Sequence, residues 1–183
     1  LQFIRPAMPH RRRWAIIYSG FEKSPMGSIP ITVRGAALMK QELHQLKTVD
    51  RPNVINSISE ARAQGDLSEN AEYDAAKERQ SFIEGRIQEL EGKLSNAQVI
   101  DPKLLDAEGR IVFGATVELE DLGAGTRVVY QIVGDDEADI KENKVSVSSP
   151  IARALIGKFE GDVAGFQAPG GLREYEVLAV RYE

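Results

Sequence analysis

Four carboxylates fall within nine residues of this chain, Asp66, Glu69, Glu72 and Asp74, in the run Gly65-Asp66-Leu67-Ser68-Glu69-Asn70-Ala71-Glu72-Tyr73-Asp74. Carboxylates are the main candidates for chemistry here. The 183 residues include no cysteine and two histidines, His10 and His44. That composition excludes a thiol nucleophile, a disulfide and a zinc–thiolate site, and argues against a histidine-based triad or metal centre. Asp66 and Glu69 stand three residues apart where a helix begins. One reading is structural: Asp66 as N-cap and Glu69 as N3 have the spacing of a capping box, and first-turn acids suit the positive end of the helix dipole. The other reading is a metal site. Two carboxylates so spaced can point together at Mg²⁺, which prefers oxygen ligands and keeps waters or borrows its other ligands. Two protein ligands would hold the ion weakly, so a second macromolecule would complete the site. Spacing alone leaves both readings open.

The elements around this run must form a rod. Thr32 is a good N-cap, and apolar residues follow at Ala36, Met39, Leu43 and Leu46, alternately three and four apart. That alternation is a coiled-coil seam. Pro52 interrupts it, since proline lacks the N–H and crowds the preceding turn. The expectation is a kink, with Asp50 capping the restart, and a seam resuming at Val54 or Ile55, Ile58 and Ala61. A second run, Tyr73, Ala76, Gln80, Ile83, Ile87, Leu90, Leu94 and Ala97, predicts a helix from about Asn70 to Ala97, broken in its apolar pattern only by Gln80. Gln64–Ser68 is long enough only to reverse the chain, so the two stripes pair as an antiparallel helical hairpin with the acidic run at its tip. A hairpin that satisfies its own seam predicts a monomer, with Val54–Ile58 as a residual exposed stripe for weak self-association.

Beyond Asp101-Pro102 the period becomes alternating. Strands are expected at Ile111–Leu119, Thr126–Val133, Lys144–Ser148, Asp162–Gln167 and Arg173–Tyr182, with a short helix at Pro150–Ile156 started by Pro150. This predicts an α+β chain: a hairpin over 26–101, then a small antiparallel-sheet domain over 102–183. Residues 1–25 carry five Lys/Arg against one Glu, including Arg11-Arg12-Arg13, while 102–183 carry nine against fifteen. The apolar run Trp14–Tyr18 is too short for a secretory signal. We read Met26 as the natural start and 1–25 as a non-native or disordered extension. The acidic balance elsewhere argues against tight direct binding to duplex DNA, and no stretch has the roughly 18 apolar residues of a membrane span.

The run Gly65–Tyr73 closely resembles the signature of the bacterial Gre family of transcript-cleavage factors. Further matches lie in order at Ile29–Gly35 (IPITVRG), Phe82–Leu90 (FIEGRIQEL), Lys93–Asp101 (KLSNAQVID), Ile132–Ile140 (IVGDDEADI) and Ser148–Gly157 (SSPIARALIG). The details look like the GreA subtype; the GreB subtype generally has a more basic hairpin. The resemblance implies a cytoplasmic elongation factor that inserts its hairpin into the secondary channel of RNA polymerase. There Asp66 and Glu69 would help hold a Mg²⁺ shared with the polymerase, with Asn70 in possible support. The polymerase then cleaves its own backtracked RNA, so the factor stimulates that endonuclease and is not itself an enzyme. DNA is met only through the elongation complex. The resemblance also implies an FKBP-like second domain that docks on polymerase, with Ser149 and Pro150 as candidate contacts, against the plain reading that Pro150 starts a helix. Ser68 stands where the family often has Lys, which predicts weaker contact with RNA and unchanged chemistry.

Three alternatives remain. A regulator could occupy the same channel without promoting cleavage, though retention of both Asp66 and Glu69 argues against it. An FKBP-like prolyl isomerase or chaperone would need an aromatic-lined pocket from Phe113, Tyr130, Phe159, Phe166, Tyr175 and Tyr182, several of which must fill the sheet's core. A plain coiled-coil scaffold gives no reason for the acidic second domain.

Overall fold

The computed structural model describes residues 28–63, 71–105 and 107–183. A short strand β1 (Ile29–Thr32) leads into helix α1 (Val33–Gln45). Thr32 caps it as expected, its hydroxyl accepting the Gly35 N–H at 3.0 Å. The first arm then passes through one π-helical segment (Leu46–Asp50) into α2 (Arg51–Ala63).

The helix does not stop and restart at Pro52: it runs on through the π-helical segment, and Asp50 forms no N-cap. Arg51 keeps helical backbone angles (φ −61°, ψ −50°), and its N–H reaches back five residues to the Leu46 carbonyl. A strict three–four alternation after Leu46 would bring seam residues to positions 53, 57 and 60. The buried ones are Val54, Ile58 and Ala61, each one residue later. A π-turn accommodates one extra residue, so it returns the late residues to the seam. It also widens the helix just before Pro52, where an α-turn would set the ring against the carbonyl four residues back. The hydroxyl of Thr48 donates to the His44 carbonyl at 2.8 Å within the same stretch.

Helix α3 (Ala71–Ser95) returns along this arm. Near one end Ile31, Ala36, Met39 and Leu90 pack together; further out Val54, Ile58, Ala76, Ile83 and Ile87 do so. That order makes the arms antiparallel. Val54 and Ile58 are buried in the seam, and of the apolar residues in that stretch only Ile55 stays exposed, so the expected exposed apolar stripe is not there. Charges flank the seam. The Arg86 guanidinium grips Glu42 at 2.7 and 3.0 Å, Arg51 pairs with Glu84 at 2.7 Å, and Lys47 pairs with Glu91. A strand β2 (Ala97–Ile100) then pairs in parallel with β1, Ile29 opposite Ala97 and Thr32 opposite Ile100.

The second unit is a five-stranded sheet in the order β5-β4-β3-β7-β6, built from β3 (Thr116–Asp121), β4 (Arg127–Val133), β5 (Lys144–Ser146), β6 (Val163–Ala168) and β7 (Gly171–Arg181). It is mixed, which corrects the antiparallel expectation: β5 runs parallel to β4, with Gln131 opposite Lys144. Parallel neighbours need a crossover, here the segment 134–143 with its two 3₁₀ turns, Asp135–Glu137 and Ile140–Glu142. The first expected strand starts late, at Thr116, because Gly114 adopts φ +85° with a Cβ position only 2.7 Å from the Pro102 ring. Ile111 and Phe113 are buried all the same. Helix α4 (Pro150–Leu155) closes the core with Ala152 and Leu155, which lie beside Ile111, Val117, Leu119, Ile132 and Val177.

The two units meet at the turn Asp135–Glu137. Glu137 accepts the Thr32 N–H at 2.8 Å and the Thr32 hydroxyl proton. Lys93, near the end of α3, pairs with Asp136 at 2.5 Å.

Candidate functional site

The acidic run belongs to the chain between α2 and α3. Asp66, Glu69, Asn70 and Ser68 lie outside the described residues, as do residues 1–27. What is described is the pair of helix ends that carries the run. Arg62, in the last turn of α2, lies over the Tyr73 ring in the first turn of α3, 5.7 Å from guanidinium carbon to ring centroid. The seven residues 64–70 therefore join two ends that stand side by side, at the opposite end of the rod from the sheet. Tyr73 packs against the Val54–Ile58 cluster, as its place in the apolar seam predicts. Its phenol is held below the usual tyrosine range, first by the hydrogen bond from Arg62. Glu72 and Asp74 are exposed in the first turn of α3, where negative charge suits the helix dipole. Among the described residues no group of three or more His, Asp or Glu is arranged to hold a metal ion.

Ser149 caps α4, accepting the Ala152 N–H at 3.3 Å while its hydroxyl donates to the Ser146 carbonyl at 2.6 Å. Pro150 is exposed at the first helical position, so the structural role expected of it is real. Beside it, Asp135 takes hydroxyl protons from Ser146 and from Ser148 (2.6 Å), and these hold its carboxyl below the usual range. Ser149 and Pro150 thus stand on the element fastened to the turn that meets the hairpin.

Tyr130, Phe166, Tyr175 and Tyr182 are spent on packing in or against the sheet's own core. Phe113 and Tyr175 are buried, and Phe166 stacks on Tyr175 with centroids 5.8 Å apart. Tyr182 donates to the Arg110 carbonyl at 2.6 Å, and Phe159 lies under the Arg110 guanidinium. An open cleft between the hairpin root and the sheet is walled by Arg34, Leu38, Glu42, Lys103, Asp139 and Glu142 among others, with no aromatic side chain. No described helix is long and apolar enough to cross a membrane.

Sequence reasoning did not single out Glu137, Asp136, Lys93 or Gly35, the residues of the joint. They lie inside the matching stretches Ile29–Gly35, Lys93–Asp101 and Ile132–Ile140, but nothing in those stretches shows that the residues meet in space, and Asp135-Asp136-Glu137 reads as an ordinary turn.

Two family models match in tandem: "Transcription elongation factor, N-terminal" over residues 29–99, and "Transcription elongation factor, GreA/GreB, C-term" over residues 106–182. The transcription elongation factor GreA of Ralstonia nicotianae is 71% identical over 157 residues, which span 86% of this chain and 99% of that protein. The factor of the same name from Neisseria meningitidis serogroup B is 68% identical over the same shares. Among solved structures, GreA factor homolog 1 of Thermus thermophilus is 30% identical, with 85% of this chain and 99% of that one covered and a TM-score of 0.39. Tandem matches across both structural units, and relatives matched over almost their whole length, place the chain in the GreA/GreB family of bacterial transcription elongation factors.

Proposed function

We propose that this GreA-type factor rescues arrested transcription by stimulating RNA polymerase to cleave its own backtracked RNA. The hairpin enters the polymerase secondary channel and carries Asp66 and Glu69 to the active centre. One observation supports this reading above the others: α2 and α3 end side by side, so the acidic run joins them at the far end of a rod that is otherwise closed on itself.

The donor chemistry fits the ion. Asp66 and Glu69 offer the hard oxygen ligands Mg²⁺ takes, too few for a resident site and enough to complete one that the polymerase already half builds. The ion, when bound there, stabilises charge on the reacting oxygens of a phosphodiester. The chain's own contribution is placement. Asp66 and Glu69 precede α3 by a few residues in sequence, so the two arms carry them to the far end of the rod, and holding a reacting group in place is itself a large part of catalysis. Asn70 is positioned in sequence to orient Glu69 or the attacking water. Ser149 and Pro150 are the docking contact with polymerase, on an FKBP-like sheet domain that serves as anchor. The factor acts as a monomer in the bacterial cytoplasm, contacting the RNA 3′ end and meeting DNA only within the elongation complex.

The test uses a stalled bacterial polymerase with labelled, backtracked RNA and Mg²⁺. Wild-type protein stimulates cleavage, whereas Asp66→Asn and Glu69→Gln each lose about 100-fold or more while still binding. Tight binding without stimulation by the wild type would instead identify a channel-occupying regulator, with both acids reduced to helix caps.

A further inference from the structure

We infer that Glu137, with Thr32 and Gly35, is a positioning device that sets the direction in which the hairpin leaves the sheet domain. The inference rests on the transcript-cleavage reading above, because direction matters only if the far end must reach a defined point.

Three observations carry it. First, the Glu137 carboxylate takes both donors of Thr32, the backbone N–H at 2.8 Å and the hydroxyl, while that hydroxyl accepts the Gly35 N–H at 3.0 Å. The chain Gly35 N–H to Thr32 hydroxyl to Glu137 carboxylate fixes the N-cap rotor of α1 from across the joint. The carboxylate also faces the positive end of that helix, and Thr32 is only 5% exposed.

Second, the approach needs two glycines. A Cβ on Gly35 would stand 2.1 Å from the Glu137 carboxyl carbon, and one on Gly134 only 2.7 Å from the Pro30 carbonyl oxygen. Backbone and carboxylate close to a distance that any side chain at either position would prevent.

Third, the hairpin is tied at both roots. Glu137 holds the start of α1, and Asp136 holds Lys93 near the end of α3. The two residues are adjacent, and Asp135 beside them is bonded to Ser146 and Ser148, just ahead of α4. Two attachment points resist a pivot that one would allow.

The lever is long. From Val33 to Ala63 the first arm runs about 46 Å at roughly 1.5 Å per residue. A pivot of about 5° at the root moves the far end by about 4 Å, and a misplacement of about 1 Å already costs a reacting group up to about 100-fold. The joint therefore governs the rate of cleavage far more than the affinity for polymerase.

The chain has no cysteine, so spin labels on Glu78→Cys and Glu174→Cys report the angle between the exposed outer face of α3 and the sheet. The parent should give one narrow distance. Glu137→Gln, and independently Gly35→Ala, should shift or broaden it and lower cleavage at saturating protein at least about tenfold, with half-saturation changed by less than about threefold. Thr32→Ser, which keeps both donors, should match the parent. Unchanged narrow distances in both variants would overturn the inference, and so would a loss of binding as large as the loss of cleavage, which marks a purely structural joint. If wild-type protein stimulates no cleavage, the functional reading fails, and the distance measurement still decides whether Glu137 sets the angle.

Discussion

In the hairpin, burial runs along a line: Ala36, Met39, Val54, Ile58 and Ala61 on one arm face Ala76, Ile83, Ile87 and Leu90 on the other, with ion pairs reaching between the arms outside it, exposed or half-buried. In the sheet domain, burial gathers at a centre, where Ile111, Val117, Leu119, Ile132, Leu155 and Val177 come from five separate segments. A line of contacts depends on phase, because one residue too many turns every later side chain away from its partner by about 100°. A central core depends on register between strands far apart in sequence. The same contrast fits the proposed function, in which the rod delivers a short acidic run at a distance and the compact domain serves as its anchor.

Phase is where the hairpin should break most easily. Deleting Lys40 rotates the stretch that carries Ala36 and Met39 out of the seam and should cost more than about 4 kcal/mol, read as lost helicity in a thermal melt. Deleting Val49 together with Pro52→Ala removes the extra residue and the ring that the π-turn accommodates. Stability should then stay within about 1 kcal/mol of wild type. A large loss in that variant would show that the π-turn does more than correct phase.

The next largest effect sharpens the contrast in depth. Leu119→Ala, fully enclosed in the sheet core, should cost about 4 kcal/mol in denaturant unfolding, against about 2–3 for Ile58→Ala, whose site in the two-helix seam can collapse around the gap. Equal values would mean that the seam packs as tightly as the core.

The smallest effect separates the two kinds of charge. Asp121 is buried in the sheet domain, whereas the flanking ion pairs of the hairpin are exposed or half-buried. Its carboxyl accepts the N–H groups of Ala124 and Gly123 and pairs with Arg173 at 2.9 Å, and these hold its pKa below 3.8. A depressed carboxylate pKa contributes stability that is fully present above 3.8 and is lost as pH falls through the lower folded value. Wild type should therefore lose stability below about pH 4 more steeply than Asp121→Asn, which starts lower at neutral pH.

Particular residues explain how much could be read in advance. The partners Ala76, Ile83, Ile87 and Leu90 were legible because a helix repeats its face within a few residues, so neighbours in the pattern are neighbours in space. The acidic run was legible as a candidate site for the same local reason, although capping and ion delivery share one spacing. The seam's resumption at Val54 or Ile55 marks the interruption in the sequence, but Pro52 offers a familiar cause for it, and only the backbone shows the π-helical segment Leu46–Asp50 that absorbs the extra residue. Strands β1 and β2 escaped notice because each has four residues and β1 contains Pro30, which suits an edge strand. Strand β5 was legible at Lys144, but its parallel direction was not, because alternation reveals a strand without its neighbour.

The chain by itself determined the two helical arms, the N-cap at Thr32, the strand-rich second half and the acidic run between the arms. Each follows from contacts within a few residues, where side-chain period and backbone geometry suffice. Tertiary structure alone decided the joint. Thr32 and Glu137 lie 105 residues apart, and neither is unusual in its own stretch of sequence. They acquire meaning only when the parallel pairing of β1 with β2 and the crossover after β4 bring a helix start and a carboxylate together, because a long-range hydrogen bond leaves no periodic trace in the sequence that forms it.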